Sequence, residues 1–378
     1  MTEKEKVVPN ASVGADAGRP IPYEPESSIA ETELPDKQNF SETLREFKEF
    51  VRKNDPDQIR AVTLSELMEE EIETKPPVVD GLIYPGVFLF AGAEKIGKSF
   101  LVLQLGYTVA KGLPLWGLKT SGDEVLYLSL EDTKERLRRR AFQMFDIETT
   151  DRMYVATRSK KLSEGLVEEL EAYRRQHPGI KFIIIDTLQR IREVFSECSY
   201  AKDYEMVSEL KDYADANGLC ILLVHHTRKQ SAKDIFETIS GTRGLNGSVD
   251  GIIVMCKQKR TDPYATLQAT GRDVIDQKLY LKRDSITLRW ELERMESGAD
   301  IDPPDPLFAA ISELLTDDQP RWEGTASELK DLLQIERSAK SLGMWLKVHK
   351  QELLSRYGIR SDSIKTRDRR TITLVREA

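Results

Sequence analysis

The sequence predicts an α/β fold, a mostly parallel sheet with helices on both faces, followed by a small separate domain. Short apolar runs alternate with amphipathic helical segments over residues 79–296, as expected for βαβ units. A glycine-rich motif of the form G-x-x-x-x-G-K-S occupies residues 92–99, between the first apolar run and the first helical segment. Three prolines then mark a linker over 297–305 and a domain over 306–378.

Composition limits the classes of protein to consider. The chain has 378 residues, of which 39% are hydrophobic and 32% charged, so a sizeable core and two or three domains are expected. A net charge of −8 argues against indiscriminate coating of nucleic acid. We find neither a signal peptide nor an apolar run of about 18 residues, so we expect a cytoplasmic protein without membrane contact. Cys198, Cys220 and Cys256 are isolated, which excludes a disulfide framework and a Cys-x-x-Cys metal site.

The segment before the sheet has two parts. Residues 1–40 are rich in Pro, Ser, Gly and Glu without periodicity, which predicts a disordered tail. Residues 41–78 are predicted to be a helical segment or linker that Pro76-Pro77 closes. This segment is either a linker or a helix that docks on another subunit.

The strand candidates follow in order. Six apolar runs predict the main strands, at 87–91, 124–130, 152–156, 181–186, 219–225 and 251–256. A later pair, 278–283 and 286–291, predicts an antiparallel hairpin turned at Asp284-Ser285.

The motif at 92–99 carries specific chemistry. Its two glycines allow backbone amides to face the α- and β-phosphates of a nucleotide. Lys98 would reach the β/γ oxygens, and the Ser99 hydroxyl would join Mg²⁺. An ordinary turn before a surface lysine is the alternative, but an apolar strand precedes this motif and a helix follows it. We therefore predict an ATP and Mg²⁺ site formed by Gly92, Ala93, Glu94, Lys95, Ile96, Gly97, Lys98, Ser99 and Phe100.

A second phosphate-related signal lies at Asp186, which ends the apolar strand 181–186. Ligands of open α/β sheets bind at the carboxyl ends of the strands. Aspartate in such a place is also common as a helix cap or turn residue. Because it follows a phosphate-binding loop in the chain, we predict that Asp186 is the Walker B residue that holds Mg²⁺ together with Ser99.

The third signal is the strand 124–130, which ends in Glu131-Asp132. A glutamate at the end of the second core strand resembles the RecA-like hexameric helicases, both the DnaB type and the plasmid RepA type. The resemblance implies that Glu131 polarises the attacking water. The alternative is that Glu131 or Asp132 caps the following helix. We assign catalysis to Glu131 and the cap to Asp132.

The run Ile221 to Arg228 contains two adjacent histidines. It resembles the RepA-type strand whose terminal histidine senses the γ-phosphate. Since successive side chains alternate along a strand, one histidine faces the core and the other the cleft. We favour His225 as the catalytic sensor; a buried structural histidine is the alternative.

The glycine- and serine-rich stretch 240–250 is similar to the segment that follows the sensor strand in these ATPases. The resemblance implies a homo-oligomer, with a hexameric ring expected, in which an arginine of one subunit reaches the γ-phosphate of the next. Arg243 is the first candidate for this role and Arg272 the second. Lys282 and Arg283, on the predicted hairpin, resemble positions used elsewhere in the superfamily; a surface arginine is the alternative for each.

Contacts with DNA are predicted at two places. Arg228 and Lys229, with Lys233, follow the sensor strand and are candidates for single-stranded DNA in the ring channel, although a solvated loop explains them equally well. The order of elements in 306–378 resembles a winged helix, with one long helix from Ala339 through Arg356. Four cations lie on the expected wing and suit duplex DNA: Lys365, Arg367, Arg369 and Arg370. A protein-binding module or a solvated basic face is the alternative.

Together these observations predict an ATP-hydrolysing, oligomeric RecA-like motor, of the type of a replicative DNA helicase from a plasmid, phage or mobile element. A primase or an initiator is a candidate partner. One alternative is an ATP-dependent DNA-binding switch that does not separate strands. A recombinase-like filament ATPase is a further alternative.

Overall fold

A computed structural model describes residues 61–70, 75–192, 200–228, 234–239, 243–297, 305–316, 318–365 and 370–377. The chain divides into two units, 1–70 and 71–378. In the first unit, helix α1 spans Leu64–Glu69 and begins at Thr63, whose hydroxyl accepts a hydrogen bond from the Glu66 amide. The predicted tail and most of the predicted helical segment lie outside the described residues.

The second unit contains a nine-stranded sheet in the order β3-β2-β4-β5-β1-β6-β7-β8-β9. Strands β1 to β6 are parallel, and β7 to β9 continue the sheet as antiparallel neighbours. The bounds are β1 Gly86–Gly92, β2 Glu124–Ser129, β3 Met153–Ala156, β4 Ile180–Asp186, β5 Cys220–His226, β6 Gly251–Cys256, β7 Tyr264–Gly271, β8 Gln277–Arg283 and β9 Trp290–Ser297. Strand β5 therefore lies between β1 and β4.

Helices connect the parallel strands. They are α2 Lys98–Ala110, α3 Lys134–Phe145, α4 Leu166–Gln176, α5 Leu188–Ile191, α6 Tyr200–Asn217 and α7 Arg243–Ser248, with short 3₁₀ turns at Leu162–Glu164 and Ile235–Thr238. Alternate residues of β1 belong to two different cores: Phe88 and Phe90 to one, Val87 and Leu89 to the other. The sheet is thus buried on both faces, which confirms the predicted fold class. No helix in the described ranges has the length and apolarity needed to cross a bilayer.

The antiparallel part of the sheet differs from the prediction. Strand β7 was not expected, and the predicted strand 286–291 is wrong because β9 begins at Trp290. The Asp284 carboxylate accepts hydrogen bonds from the amide of Ile286 at 3.1 Å, and from the amide and hydroxyl of Thr287 at 2.6 and 2.7 Å. These bonds extend the turn beyond the two residues expected.

The C-terminal domain has its own apolar core, built around residues such as Phe308, Leu329 and Leu374. Its elements are α8 Pro306–Leu314, β10 Arg321–Gly324, α9 Ala326–Leu333, α10 Ala339–Val348, α11 Lys350–Tyr357, β11 Ile359–Lys365 and β12 Arg370–Arg376. The three strands form an antiparallel sheet in the order β10-β12-β11.

The single long helix predicted from Ala339 through Arg356 is wrong, since two helices meet at His349. The backbone of His349 leaves the helical region, with φ −97° and ψ 14°. Its ring lies 4.6 Å from that of Trp345 and 5.2 Å from that of Phe308. The break directs α11 so that Tyr357 stacks on Phe308 with ring centroids 5.3 Å apart.

Candidate nucleotide site

The glycine-rich loop joins the end of β1 to the start of α2, as predicted. A Cβ atom at Gly92 would lie 2.8 Å from the Met255 carbonyl oxygen, so the neighbouring strand β6 leaves room only for glycine. Gly97 has φ +104°, a conformation that side chains other than glycine rarely adopt. The two glycines are therefore required by close approach and by backbone conformation, respectively.

The Lys98 ammonium lies inside the loop. It donates hydrogen bonds to the carbonyl oxygens of Gly92 at 2.7 Å and Ala93 at 2.9 Å. The residue is only 6% exposed, and burial lowers the pKa of its ammonium to about 8, against the opposing effects of nearby carboxylates, led by Asp186 and Glu131. The ammonium is thus held where the loop would surround phosphate oxygens.

Asp186 ends β4 and is buried beside the loop. Its carboxylate accepts a hydrogen bond from the Tyr127 hydroxyl at 3.0 Å and has a second side-chain hydrogen bond with Ser99. Burial raises the pKa of Asp186, and these two hydrogen bonds oppose the change. The structure therefore brings Ser99 and Asp186 together, and a hydroxyl with a carboxylate is a set of oxygen ligands that fits Mg²⁺.

Glu131 follows the end of β2, next to β4 in the sheet. Its carboxylate accepts a hydrogen bond from the Thr187 hydroxyl at 3.0 Å, and Thr187 is the residue after Asp186. Glu131 also acts electrostatically on Lys98 and on Asp186. The side chain is exposed, so its carboxylate is accessible to water at the carboxyl edge of the sheet.

The assignment of the helix cap to Asp132 is wrong. The N-cap of α3 is Thr133, whose hydroxyl accepts the Arg136 amide at 3.2 Å. Asp132 instead forms ion pairs with Arg140 at 2.6 Å and with Arg136 at 3.3 Å. Since these cations lie on α3, Asp132 fixes that helix against the end of β2.

The two histidines of β5 face opposite sides of the sheet as expected, but the one that faces the loop is not the one predicted. His225 is 2% exposed and buried in the sheet. His226 is half-buried, and its Nδ1 lies 3.3 Å from the Lys98 Nζ. Burial, together with the charge on Lys98, lowers the pKa of His226. The side chain beside the loop is therefore His226, whereas the sequence favoured His225.

The arginines predicted to reach the nucleotide of a neighbouring subunit lie at different places in the sheet. Arg243 begins α7, but its side chain is outside the described residues. Arg272 lies at the opposite edge of the sheet, 3.4 Å from the Asp250 carboxylate, because β7 runs antiparallel to β6. The Arg283 guanidinium lies 4.0 Å over the Phe100 ring, beside the loop of its own chain, and burial lowers its pKa.

The predicted DNA contacts are only partly described. Arg228 is exposed, and its amide donates a hydrogen bond to the Thr238 carbonyl oxygen at 2.6 Å. Lys229 lies outside the described residues. On the expected wing, Arg370 is exposed; Arg367, Arg369 and the side chain of Lys365 are outside the described residues. Other cations of this domain form ion pairs: Lys350 with Asp362 at 2.8 Å, Arg356 with Glu352 at 2.9 Å and Arg360 with Asp362 at 3.3 Å.

Two contacts of the site were missed from the sequence. The first is the hydrogen bond from the Tyr127 hydroxyl to the Asp186 carboxylate. Tyr127 lies on the same face of β2 as Ser129, the last residue of that strand, and this spacing was a signal that its hydroxyl could reach a neighbouring strand. Trp290 packs against Gly97 from the far end of the sheet, and no local pattern links these two residues.

Comparison with known families and curated proteins gives low-identity matches over about half of the chain. The family model described as "AAA domain" matches residues 53–232. The DNA repair protein RadA of Streptococcus pyogenes serotype M6 is 28% identical over 183 residues, which is 47% of this chain and 34% of that protein. RadA of Streptococcus pneumoniae is 27% identical over 187 residues, 48% of this chain and 39% of that protein. The chain thus spans little more than a third of the length of these relatives.

Two solved structures are similar to this chain at low sequence identity. One is a DnaB-like replicative helicase, with a TM-score of 0.47 and 14% identity over 66% of this chain and 71% of that one. The other is a KaiC-like protein from Pyrococcus horikoshii, with a TM-score of 0.41 and 14% identity over 60% of this chain and 99% of that one.

Proposed function

We propose that this chain, whose core is a RecA-like P-loop ATPase, hydrolyses ATP as an oligomeric motor on DNA, and is a replicative-type helicase of a plasmid, phage or mobile element. The observation that carries the proposal is the meeting of Lys98, Ser99, Asp186, Glu131 and His226 at the carboxyl edge of the sheet. Glu131, Asp186 and His226 come from the ends of three neighbouring strands, β2, β4 and β5, whereas Lys98 and Ser99 follow the loop after β1. Each group has a distinct role in phosphoryl transfer.

Nucleotide binding uses the loop and two oxygen ligands. The amides from Ala93 to Phe100 would surround the α- and β-phosphates, and the Lys98 ammonium would exchange its carbonyl partners for β/γ oxygens. Ser99 and Asp186 would hold Mg²⁺, with Tyr127 orienting the Asp186 carboxylate. When bound, Mg²⁺ neutralises charge that develops on the phosphates.

Hydrolysis uses Glu131 and His226. Glu131 is the residue that orients water and accepts its proton, because its carboxylate is exposed to solvent yet fixed by the Thr187 hydroxyl. We assign the γ-phosphate sensor to His226, since it approaches Lys98 from the adjacent strand β5.

The assembly completes the site. In a homo-oligomer, with a hexameric ring proposed, an arginine of one subunit would reach the nucleotide of the next, and Arg243 and Arg272 remain the candidates. Arg228 and Lys229 would line the channel for single-stranded DNA. The name of the RadA relatives, DNA repair proteins, supports a role on DNA.

The C-terminal domain would direct the motor to duplex DNA. Its four helices and three strands, with β11 and β12 pairing as a hairpin, support a winged helix. The wing of this domain would carry Lys365, Arg367, Arg369 and Arg370. A primase or an initiator is the proposed partner, and we place the activity in the cytoplasm, where ATP and DNA meet.

Strand separation tests this proposal. The wild-type chain is expected to displace one strand of a forked duplex in an ATP-dependent manner, and single-stranded DNA is expected to stimulate its ATPase. The Lys98→Ala variant should displace no strand and should show no ATPase stimulated by single-stranded DNA. Tight duplex binding with slow hydrolysis that is indifferent to DNA, and no displacement, would instead identify an ATP-dependent switch.

A further inference from the structure

The indole of Trp290, the first residue of β9, lies against the second glycine of the phosphate loop. A Cβ atom at Gly97 would meet the six-membered part of the indole at 2.9 Å. The indole Nε1 donates a long hydrogen bond of 3.4 Å to the Gly97 carbonyl oxygen. Trp290 is 1% exposed, so this contact excludes water from the outer side of the turn.

The backbone of Trp290 is fixed to the helix that follows the loop. Its amide donates to the Gln104 Oε1 at 2.7 Å, and its carbonyl accepts from the Gln104 Nε2 at 2.8 Å. The indole of Trp116 donates to the same carbonyl at 2.8 Å. Gln104 is itself buried within α2. These hydrogen bonds therefore fix the start of β9 relative to α2.

Two independent constraints therefore act on the loop. Gly97 has a left-handed backbone with φ +104°, which the chain must hold while the loop remains open to solvent at Ala93, Glu94 and Lys95. The loop's own hydrogen bonds act from inside, through Lys98, whereas Trp290 acts from outside, from a strand 193 residues further along the chain. Such a turn, held before the ligand arrives, lowers the entropy lost on binding.

We propose that Trp290 is a positioning residue for the phosphate loop: its indole supports the Gly97 turn in the conformation that receives the phosphates of a nucleotide. The inference rests on the proposed function, since it assigns to Trp290 the preorganisation of that same site. Trp290 has no contact with the reacting atoms. Its loss acts on nucleotide affinity, while the rate at saturation depends on Glu131 and His226.

Steady-state ATPase assays on the full-length chain test this role. Trp290→Leu removes the ring and is expected to raise KM for ATP about tenfold while kcat changes less than about twofold. Trp290→Phe is a milder variant that keeps one aromatic ring but lacks the Nε1–H donor and the second ring of the indole, and it should raise KM less. Leu281→Ala is the matched control: it removes a buried side chain of β8, 1% exposed, from the same apolar core, at a position paired with Ala265 and Leu292 in the sheet. It should lower Tm but leave KM unchanged.

The fluorescence of Trp290 gives a second readout that stability alone does not alter. Binding of MgADP should change the tryptophan emission of the wild type, and this change should disappear in Trp290→Phe but persist in Trp322→Phe, a substitution in the C-terminal domain. Equal KM values for wild type and both Trp290 variants, or an equal rise in Leu281→Ala, would overturn the inference. A wild type that binds no nucleotide would instead overturn the proposed function on which it rests.

Discussion

At the scale of single residues, the candidate site combines a buried cation with two carboxylates of different exposure. Lys98 and Asp186 are buried, with only 6% and 3% of their surface exposed, respectively, whereas Glu131 is exposed. The buried pair suits binding of phosphate and metal, because charge interactions are stronger where water is excluded. The exposed carboxylate suits the activation of water. The same edge of the sheet thus offers two environments for two tasks.

Glu131→Gln tests the separation of these tasks. The amide keeps the size of the side chain but cannot accept the proton of water, so kcat should fall by about 10²- to 10⁴-fold while ATP still binds. The measurement is single-turnover hydrolysis together with nucleotide affinity. Glu135→Gln, an exposed residue on the first turn of α3, should behave as the wild type. Unchanged hydrolysis in Glu131→Gln would remove this residue from the mechanism.

The two histidines of β5 should respond differently to alanine. His226→Ala should lower kcat about tenfold or more at nearly unchanged Tm, since the half-buried ring lies beside Lys98. His225→Ala removes a fully buried ring and should cost about 1–3 kcal/mol of unfolding free energy. Thermal melts and ATPase rates of both variants show which histidine contributes to catalysis and which to stability. A loss of kcat confined to His225→Ala would return the sensor role to that residue.

These histidines also show how far a sequence can locate a site. Alternation along a strand predicts that one of two neighbours faces the cleft. Which one does so depends on the register of β5 against β1, in which His226 lies opposite Gly92. That register is set by packing between elements distant in sequence. The motif at 92–99, by contrast, is local, and its position between strand and helix was predicted correctly.

At the scale of elements, the regular parallel strands were predictable and the antiparallel extension was not. Buried on both faces, β4 reads as a continuous apolar run, whereas β7 alternates with threonine and glutamine and gives a weaker signal. The start of β9 depends on the side-chain hydrogen bonds of Asp284. The same limits apply to α10 and α11, whose break depends on ring contacts of His349 within the domain.

The hairpin of β11 and β12 carries the prediction for DNA. Replacing Lys365, Arg367, Arg369 and Arg370 with alanine should weaken duplex binding, and should flatten the salt dependence by about 0.9 units for each cation that contacts a phosphate. ATPase activity without DNA should persist. The readout is the affinity for duplex DNA over a series of salt concentrations.

Arg360→Ala is the matched control for this hairpin, because Arg360 already forms ion pairs with Asp362 and Glu377. Its loss should leave the salt dependence nearly unchanged. If the fourfold variant binds duplex as tightly as the wild type at every salt concentration, the domain is not the duplex-binding element, and a protein-binding role becomes the better interpretation.

At the scale of the whole molecule, the sheet explains why distant segments form one site. Strands β1, β2, β4 and β5 run parallel, so their carboxyl ends meet at one edge. Placing β5 between β1 and β4 separates the phosphate loop from Asp186 by one strand, and that strand supplies His226. The indole of Trp290 packs against Gly97 of this loop, although β9 lies at the end of the sheet in strand order.

The loop between β1 and α2 is proposed to bind the phosphates of ATP, and calorimetric titration of the whole 378-residue chain with MgADP measures this binding. We expect saturable binding to the wild type, with one nucleotide per chain, and no detectable binding to a folded Lys98→Ala variant. Absence of binding to the wild type, or equal affinity in the two proteins, would contradict it.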